Sequence, residues 1–347
     1  MLLTKSSDKC NMSKAKNTMN EVINVELSPG LHRVEVPLGD RYVALYLVEG
    51  DDAVLLVDTG LDESILGTLE PYLRSVGIAP ERIRYVVNTH ADFDHTGGNA
   101  AIKALVPDCV LMCGEDDRRL INDIDLMIGE RYGEFGVHGI VESEETNAYI
   151  RSVAKTAHVD IGLRGGERID LGGRIVEILH TPGHSWGHVA VHDLASNSLM
   201  IGDAVLFNTL LTADGLDAFP PTYRFVDTYR GTIRRLVAMS VSVLLTAHYP
   251  VYRGSAAADF FAESLAYTDR VESVLLATLR AAKKPMSLLE IVAATRERLG
   301  VWAEPAAELL TYPLLGHIEV LQQRGVIATQ SSSDESGAST PTYELSR

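Results

Sequence analysis

Cysteine is scarce in this sequence: Cys10, Cys109 and Cys113 are the only three in 347 residues. They provide neither a disulfide framework nor a paired CxxC zinc signature. Cys109 and Cys113, in the run Asp-Cys-Val-Leu-Met-Cys, read as reduced thiols in a buried strand. Long apolar runs are also missing. A membrane-spanning helix needs about 18 consecutive apolar residues and none occur, so no membrane partner is expected. The first 20 residues are polar (Lys5, Ser6, Ser7, Asp8, Lys9, Asn11) and lack the apolar core of a secretory signal, which makes a disordered leader and a cytoplasmic protein the expectation. Positive charge is in the minority, with 31 Lys and Arg against 47 Asp and Glu for a net charge of −16. Such a surface repels phosphate backbones and excludes nonspecific nucleic-acid binding. What remains, 46% hydrophobic and 22% charged residues, is the composition of an ordinary globular protein. The length suits one large domain with a small one attached.

Short β-rich runs open the chain after Val22: Leu31–Val36, Tyr42–Val48 and Ala53–Val57, separated by Gly30, Gly39-Asp40 and Gly50–Asp52. Glu63–Val76 has helical spacing through Ile65, Leu69 and Leu73, and Ile83–Asn88 is a largely apolar strand. A helix over Asn99–Val106 and a strand over Cys109–Cys113 follow. Residues 114–160 break this alternation with a polar, helix-rich insertion, expected to be a lid or a dimer surface. Strands resume at Val176–His180, Val189–His192, Leu199–Ile201 and Val243–Thr246, with a helix at Tyr229–Met239. The pattern predicts two face-to-face sheets with helices outside, placing residues 21–280 in one catalytic domain. A long helix, Asp259–Arg280, ends this part. Beyond Lys284-Pro285, Ser287–Leu299 and Ala306–Arg324 read as helices and Val326–Thr329 as a strand. The Ser-rich stretch Gln330–Thr340 reads as a flexible loop before Thr342–Leu345. Residues 281–347 are therefore expected to form a winged-helix-like domain. They carry 6 Lys and Arg against 8 Asp and Glu, without a basic recognition helix, so a packing or dimerising role is expected rather than DNA reading.

The chemistry concentrates in Thr89-His90-Ala91-Asp92-Phe93-Asp94-His95-Thr96-Gly97-Gly98-Asn99. Four residues of metal-ligand type within six positions follow a strand and precede a helix. They converge only if the backbone curls about a centre, and Gly97-Gly98 permits a close backbone approach. Three further candidates also stand at strand ends: His184 in Thr181-Pro182-Gly183-His184, Asp203 in Gly202-Asp203, and His248 in Ala247-His248-Tyr249-Pro250. A shared sheet edge would bring them together.

An HxHxDH-like turn, here HxDxDH, followed by TPGH, GD and a late histidine after a strand, resembles the metallo-β-lactamase-like superfamily. Val57-Asp58-Thr59-Gly60 resembles that family's DTG turn. The resemblance covers about Val22 to Val271, and the remainder resembles the small C-terminal appendage of the lactamase-beta-2-like branch. It implies an α/β fold, a four-layer αββα sandwich. It also implies two divalent ions: His90, Asp92 and His184 in site one, Asp94, His95 and His248 in site two, and Asp203 bridging them. Asp94 is expected to be the catalytic residue. Asp58 would buttress the metal loops, and His180 and His188 would give outer support. Ala247 stands where the family usually has glycine.

The departure that matters is Asp92 in place of the second histidine. Nitrogen-rich sets suit zinc, and oxygen ligands shift preference towards iron or manganese. Zinc is the first expectation and iron or manganese the alternative. The resemblance implies a hydrolase that uses a metal-bridging hydroxide to cleave an ester, thioester or lactone of a small metabolite. The other reading is a di-iron, flavodiiron-like enzyme that binds oxygen or nitric oxide. Tyr249, Tyr223 and Arg224, the latter two in the stiff loop Phe219–Arg224, are candidate substrate-binding residues. His138 and His158 are expected at the surface, and a homodimer is possible.

Overall fold

The computed structural model describes residues 24–333 and 339–346. The expected leader, residues 1–20, lies outside them. Seven strands form one sheet in chain order: Val25–Ser28, Leu31–Leu38, Arg41–Glu49, Val54–Val57, Ile83–Asn88, Val110–Gly114 and Ile161–Leu163. The first four pair antiparallel, and the last three extend the sheet in parallel. A second sheet of six strands runs in the spatial order Tyr252–Arg253, Val243–Leu245, Ser198–Met200, Val189–Asp193, Ile175–His180, Arg168–Asp170.

Alternation along each strand builds the layers, because successive side chains point to opposite faces. Leu55, Val57, Val87 and Met112 of the first sheet meet Val176, Ile178, Val189, Met200 and Leu245 of the second in a core between the sheets. Their neighbours Val54, Leu56, Val86 and Leu111 turn outwards onto Ile65, Leu69, Leu73 and Ile102 of the covering helices. On the far side, Ala190, Leu199 and Leu244 pack against Tyr229, Ile233 and Leu236. The result is the αββα sandwich.

The helix expected over Glu63–Val76 is one helical run with a wide turn inside it: Asp62–Ser64 and Glu70–Val76 are α-helical and Ile65–Leu69 is π-helical. Pro71 has no N–H for the regular ladder, which accounts for the widening. The insertion between Gly114 and Ile161 is helical as expected. It contains Arg118–Asn122, a π-helical turn at Met127–Tyr132, and Glu144–Val153 capped by the Ser143 side chain. His138, expected at the surface, is buried in this insertion beside Tyr343, whereas His158 is exposed. Cys109 and Cys113 are buried and unpaired.

The helix Ser255–Ala281 leads to Leu288–Leu299, which begins on a Ser287–Glu290 capping box, and then to Thr311–Gln323. The continuous helix expected over Ala306–Arg324 is instead divided, with Glu304–Ala307 and a 3₁₀ turn at Glu308–Leu310 ahead of it. Strands Ile327–Ser333 and Ser339–Leu345 pair with each other, and Met286–Ser287 pairs with the other edge of Ser339–Leu345, which is the central strand of the three. Strand therefore extends into both ends of the stretch expected as loop. Apolar residues between Leu288 and Ile327, together with Tyr343, share one core with the second sheet and its helices, including Leu199, Tyr229, Tyr267, Leu288, Leu314 and Ile318.

Candidate metal centre

Every expected ligand follows the end of a strand, and cross-links between the sheets hold those ends together. The Tyr46 hydroxyl donates to the Thr246 carbonyl at 2.6 Å, the Ala44 amide to the Ala247 carbonyl at 2.8 Å, and the Val189 amide to the Thr89 carbonyl at 2.8 Å. Two glycines allow the loops to crowd. A Cβ on Gly98 would lie 2.4 Å from the Thr59 carbonyl oxygen, and Gly183, at φ 144°, packs its α-carbon against the Tyr229 backbone.

Four donors converge on one side of the centre. His95 Nε2 lies 3.8 Å from Asp94 Oδ2 and 3.9 Å from Asp203 Oδ2, while His248 Nε2 lies 3.6 Å and 3.4 Å from the same two oxygens. These separations are longer than ordinary N–H···O hydrogen bonds. They are near the roughly 3.3–3.5 Å expected between ligands of one tetrahedral ion at about 2.0–2.1 Å. His95 Nε2 and Asp203 Oδ1 are buried without a hydrogen-bond partner among the described residues. Buried polar atoms seldom stay unpaired, so this donor set fits a cation.

The rings are fixed from behind. Asp58, at φ 60°, accepts from the Thr89 amide at 2.7 Å, the Thr89 hydroxyl at 2.9 Å and His95 Nδ1 at 2.8 Å. His248 Nδ1 donates to the Tyr42 carbonyl at 2.9 Å. Each contact points the other ring nitrogen, Nε2, at the centre. Burial acts against a charged His95, but Asp58, Asp94 and Asp203 outweigh it and push its pKa up to about 10. The same field draws any cation. His248 is raised in the same way, chiefly by Asp203 acting against burial.

The other side of the centre differs. His90, Asp92 and His184 do come together: Asp92 Oδ2 is 3.2 Å from His90 Nε2 and 2.8 Å from His184 Nε2. A guanidinium sits among them. Arg131 donates from Nε to Asp92 Oδ1 at 2.9 Å and from Nη2 to Asp92 Oδ2 at 3.1 Å, and its Nη2 lies 2.9 Å from His184 Nε2. Tyr132 completes the set, its hydroxyl 3.3 Å from Asp92 Oδ1 and accepting from the Phe93 amide at 3.0 Å. Burial would raise the Asp92 pKa, but Arg131 and then the two histidines hold it well below the usual carboxylate range. Burial and Arg131 lower that of His184.

The outer residues fall into two groups. His188 stacks on His90 with ring centres 4.9 Å apart, bonds Thr181 through Nδ1, and accepts from the Asp203 amide through Nε2 at 3.2 Å. His180 stays at the rim, where its Nε2 donates to the Trp186 carbonyl. The three expected substrate-binding residues face elsewhere. Tyr223 is buried against Tyr229 with its hydroxyl on His317, and Tyr249 bonds Phe207 and Thr209. Arg224 makes a fork to Glu319 and a further bond to Glu134. Phe219 and Thr222 of the stiff loop line the cavity over the centre, whereas Tyr223 and Arg224 tie the C-terminal helices to the sandwich, which corrects the expected placement of those two side chains in the pocket.

A cavity of about 280 Å³ opens over the centre. Asp94, Asp203 and His248 form part of its floor, Leu38 and Arg41 come from the first sheet, Arg131, Tyr132 and Ile150 from the insertion, and Leu309 and Tyr312 from the C-terminal helices. Arg131 is braced from that side: its carbonyl accepts from the Tyr312 hydroxyl at 3.3 Å, and its guanidinium lies 5.3 Å from the Tyr312 ring centre. Sequence reading missed Arg131, Tyr132 and Tyr312, whose segments have no metal-ligand spacing. It also missed Asp117, which accepts from the Ala91 and Gly187 amides and the Ser185 hydroxyl and so joins the two ligand loops. A buried aspartate just past the strand Val110–Gly114 was the available signal.

These features define a metallo-β-lactamase fold with a His/Asp centre at the sheet edge. The profile of the metallo-beta-lactamase superfamily matches residues 38–248, and the chain belongs to that superfamily. It is 26% identical to a hydroxyacylglutathione hydrolase of Rhodospirillum rubrum over 50% of this chain and 51% of that one. It is 27% identical to the acyl-coenzyme A thioesterase MBLAC2 of Bos taurus over 60% of this chain and 73% of that one. The chain thus spans about half the length of the first of these relatives. A metallo-beta-lactamase family protein from Thermus thermophilus has the same fold, with a TM-score of 0.72 and 22% identity over 92% of this chain and all of that one.

Proposed function

We propose that the chain is a metal-dependent hydrolase that cleaves an ester, thioester or lactone bond of a small acyl metabolite, with a thioester as the first substrate to try. The observation that carries this reading is the convergence of Asp94, His95, Asp203 and His248, with His95 Nε2 and Asp203 Oδ1 unpaired among the described residues, beneath a cavity with apolar walls. A divalent ion held there supplies Lewis acidity and a water acidic enough to attack near neutral pH. Asp94 and Asp203, on the cavity floor, are the carboxylates placed to accept the proton given up during attack. The apolar walls (Leu38, Phe93, Ile150, Leu210 and Leu309) exclude water and favour an acyl chain. At about 280 Å³ the cavity sits at the small end for ligand sites, which suits a short acyl group. Both named relatives act on acyl compounds, which supports the same class.

The test is turnover of a panel of acyl thioesters, esters and lactones by protein loaded separately with zinc, manganese or iron. Absence of hydrolysis across the panel with every metal would overturn the reading. A second reading, an oxygen- or nitric-oxide-binding di-iron enzyme, draws on Asp92 and on 23% identity to a coenzyme F420H(2) oxidase of Methanothermobacter marburgensis, over 57% of this chain and 43% of that one. The engagement of Asp92 by Arg131 counts against it, because it takes up the carboxylate that would serve a second iron. Purified protein with two irons per chain and visible absorption would favour it.

A further inference from the structure

We infer that Arg131 is the resident cation of site one, and that the chain holds one metal ion, at Asp94, His95, Asp203 and His248. The inference builds on the metal-centre reading above but not on the substrate, and it departs from the two-ion expectation.

His184 decides the matter. Its Nδ1 lies 3.1 Å from the Thr222 carbonyl, which can only accept, so Nδ1 carries a ring proton, and its Nε2 lies between Asp92 Oδ2 at 2.8 Å and Arg131 Nη2 at 2.9 Å. Towards Arg131 Nη2, a donor with no acceptor capacity, Nε2 can only accept, and towards the Asp92 carboxylate it can only donate. Either way Nε2 is engaged by a protein group: as an acceptor its one lone pair is spent on an N–H, and as a donor it has no lone pair to offer a metal. Asp92 is engaged similarly: both its oxygens receive Arg131 and Oδ1 is also within reach of the Tyr132 hydroxyl. An ion sharing Asp92 Oδ2 and His184 Nε2 would lie beside a guanidinium bonded to the same two atoms, two cations in contact inside a buried site. The spacing of His90, Asp92 and His184 by itself would admit an ion; the position of Arg131 excludes it.

The guanidinium is not a stray surface group. It is 7% exposed, its carbonyl is bonded by Tyr312 and its face is covered by the Tyr312 ring. Among the described residues no Lys or Arg pairs with the other half of the centre, where His95 Nε2 and Asp203 Oδ1 have no hydrogen-bond partner. The substitution of Asp92 for histidine then has a physical reason, since a carboxylate pairs with an arginine fork and an imidazole does not.

The experiment is metal counting. Apoprotein is incubated with excess Zn²⁺, desalted and analysed by mass spectrometry of the element, and zinc-edge anomalous maps locate the ion in crystals. One zinc per chain, with a single peak among Asp94, His95, Asp203 and His248, is expected. Two zincs per chain, or a peak among His90, Asp92 and His184, would overturn the inference. Arg131→Met is expected to raise the count towards two; a folded variant that stays at one would overturn the claim that the guanidinium keeps the second ion out. Should that variant not fold, the wild-type count and map still decide. Because none of these readouts needs turnover, a one-zinc protein that hydrolyses nothing would refute the hydrolase reading and leave this one standing.

Discussion

The two halves of the centre are built from the same residue types and end up with different electrostatics. His90, Asp92 and His184 are closed by a protein cation delivered from the helical insertion, whereas Asp94, His95, Asp203 and His248 are held from behind and left open in front. Ligand chemistry alone does not distinguish them. The distinction comes from whether a neighbouring chain segment supplies the countercharge.

The largest expected effect is at the open half. Asp94→Ala should remove several kcal/mol of transition-state stabilisation, a loss of hydrolysis on the order of 10³-fold or more, together with most bound metal. His184→Ala, in the closed half, should leave the metal count unchanged. Equal metal loss in both variants, measured on the same samples, would erase the contrast. Next in size is the buried pair itself. Asp92→Asn strands the Arg131 charge and should cost about 3–5 kcal/mol of stability in urea denaturation. The double variant Asp92→Asn/Arg131→Met should recover much of that loss; if it is no more stable than the single variant, the pair is not what stabilises this half. Smaller again is Asp58→Asn, which should weaken metal affinity roughly 10–100-fold by competition titration, through loss of the His95 orientation rather than loss of a ligand.

The smallest effect lies away from the centre, at Glu272. His317 first, and then Arg230, hold its carboxyl down to about 2, against burial. A depressed carboxylate contributes stability above its ordinary value of 4.5 and loses it as pH falls towards 2. Wild type and Glu272→Gln should therefore differ in melting temperature near neutral pH and converge as acid is added. A gap that persists at the lowest accessible pH would rule out this origin.

Most of the layering could be read from the chain because alternation and helical spacing are local. Val54–Val57 and Ile83–Asn88 announce a sheet, and the turn after each announces a ligand loop. The seven ligand-type residues were likewise visible, since each stands after a strand end. What could not be read was the partner of Asp92. Arg131 lies in a polar segment, 39 positions along the chain, and reaches the centre only through the path of the insertion and the wide turn at Met127–Tyr132. Tyr223 and Arg224 were misplaced for a related reason: a stiff loop with an arginine suits a ligand clamp and a structural clamp equally, and only Glu319 and His317, from the C-terminal helix, choose between them.

The brace on Arg131 also bears on the order in which the protein can mature. The residues that would hold the ion have all been synthesised by His248, but Tyr312, which fixes the guanidinium, emerges from the ribosome later. Until then the closed half lacks its brace, so on the one-ion inference a nascent chain would be more open to a second ion than the finished protein. Selectivity for one metal would then be acquired during synthesis, when the last helices dock.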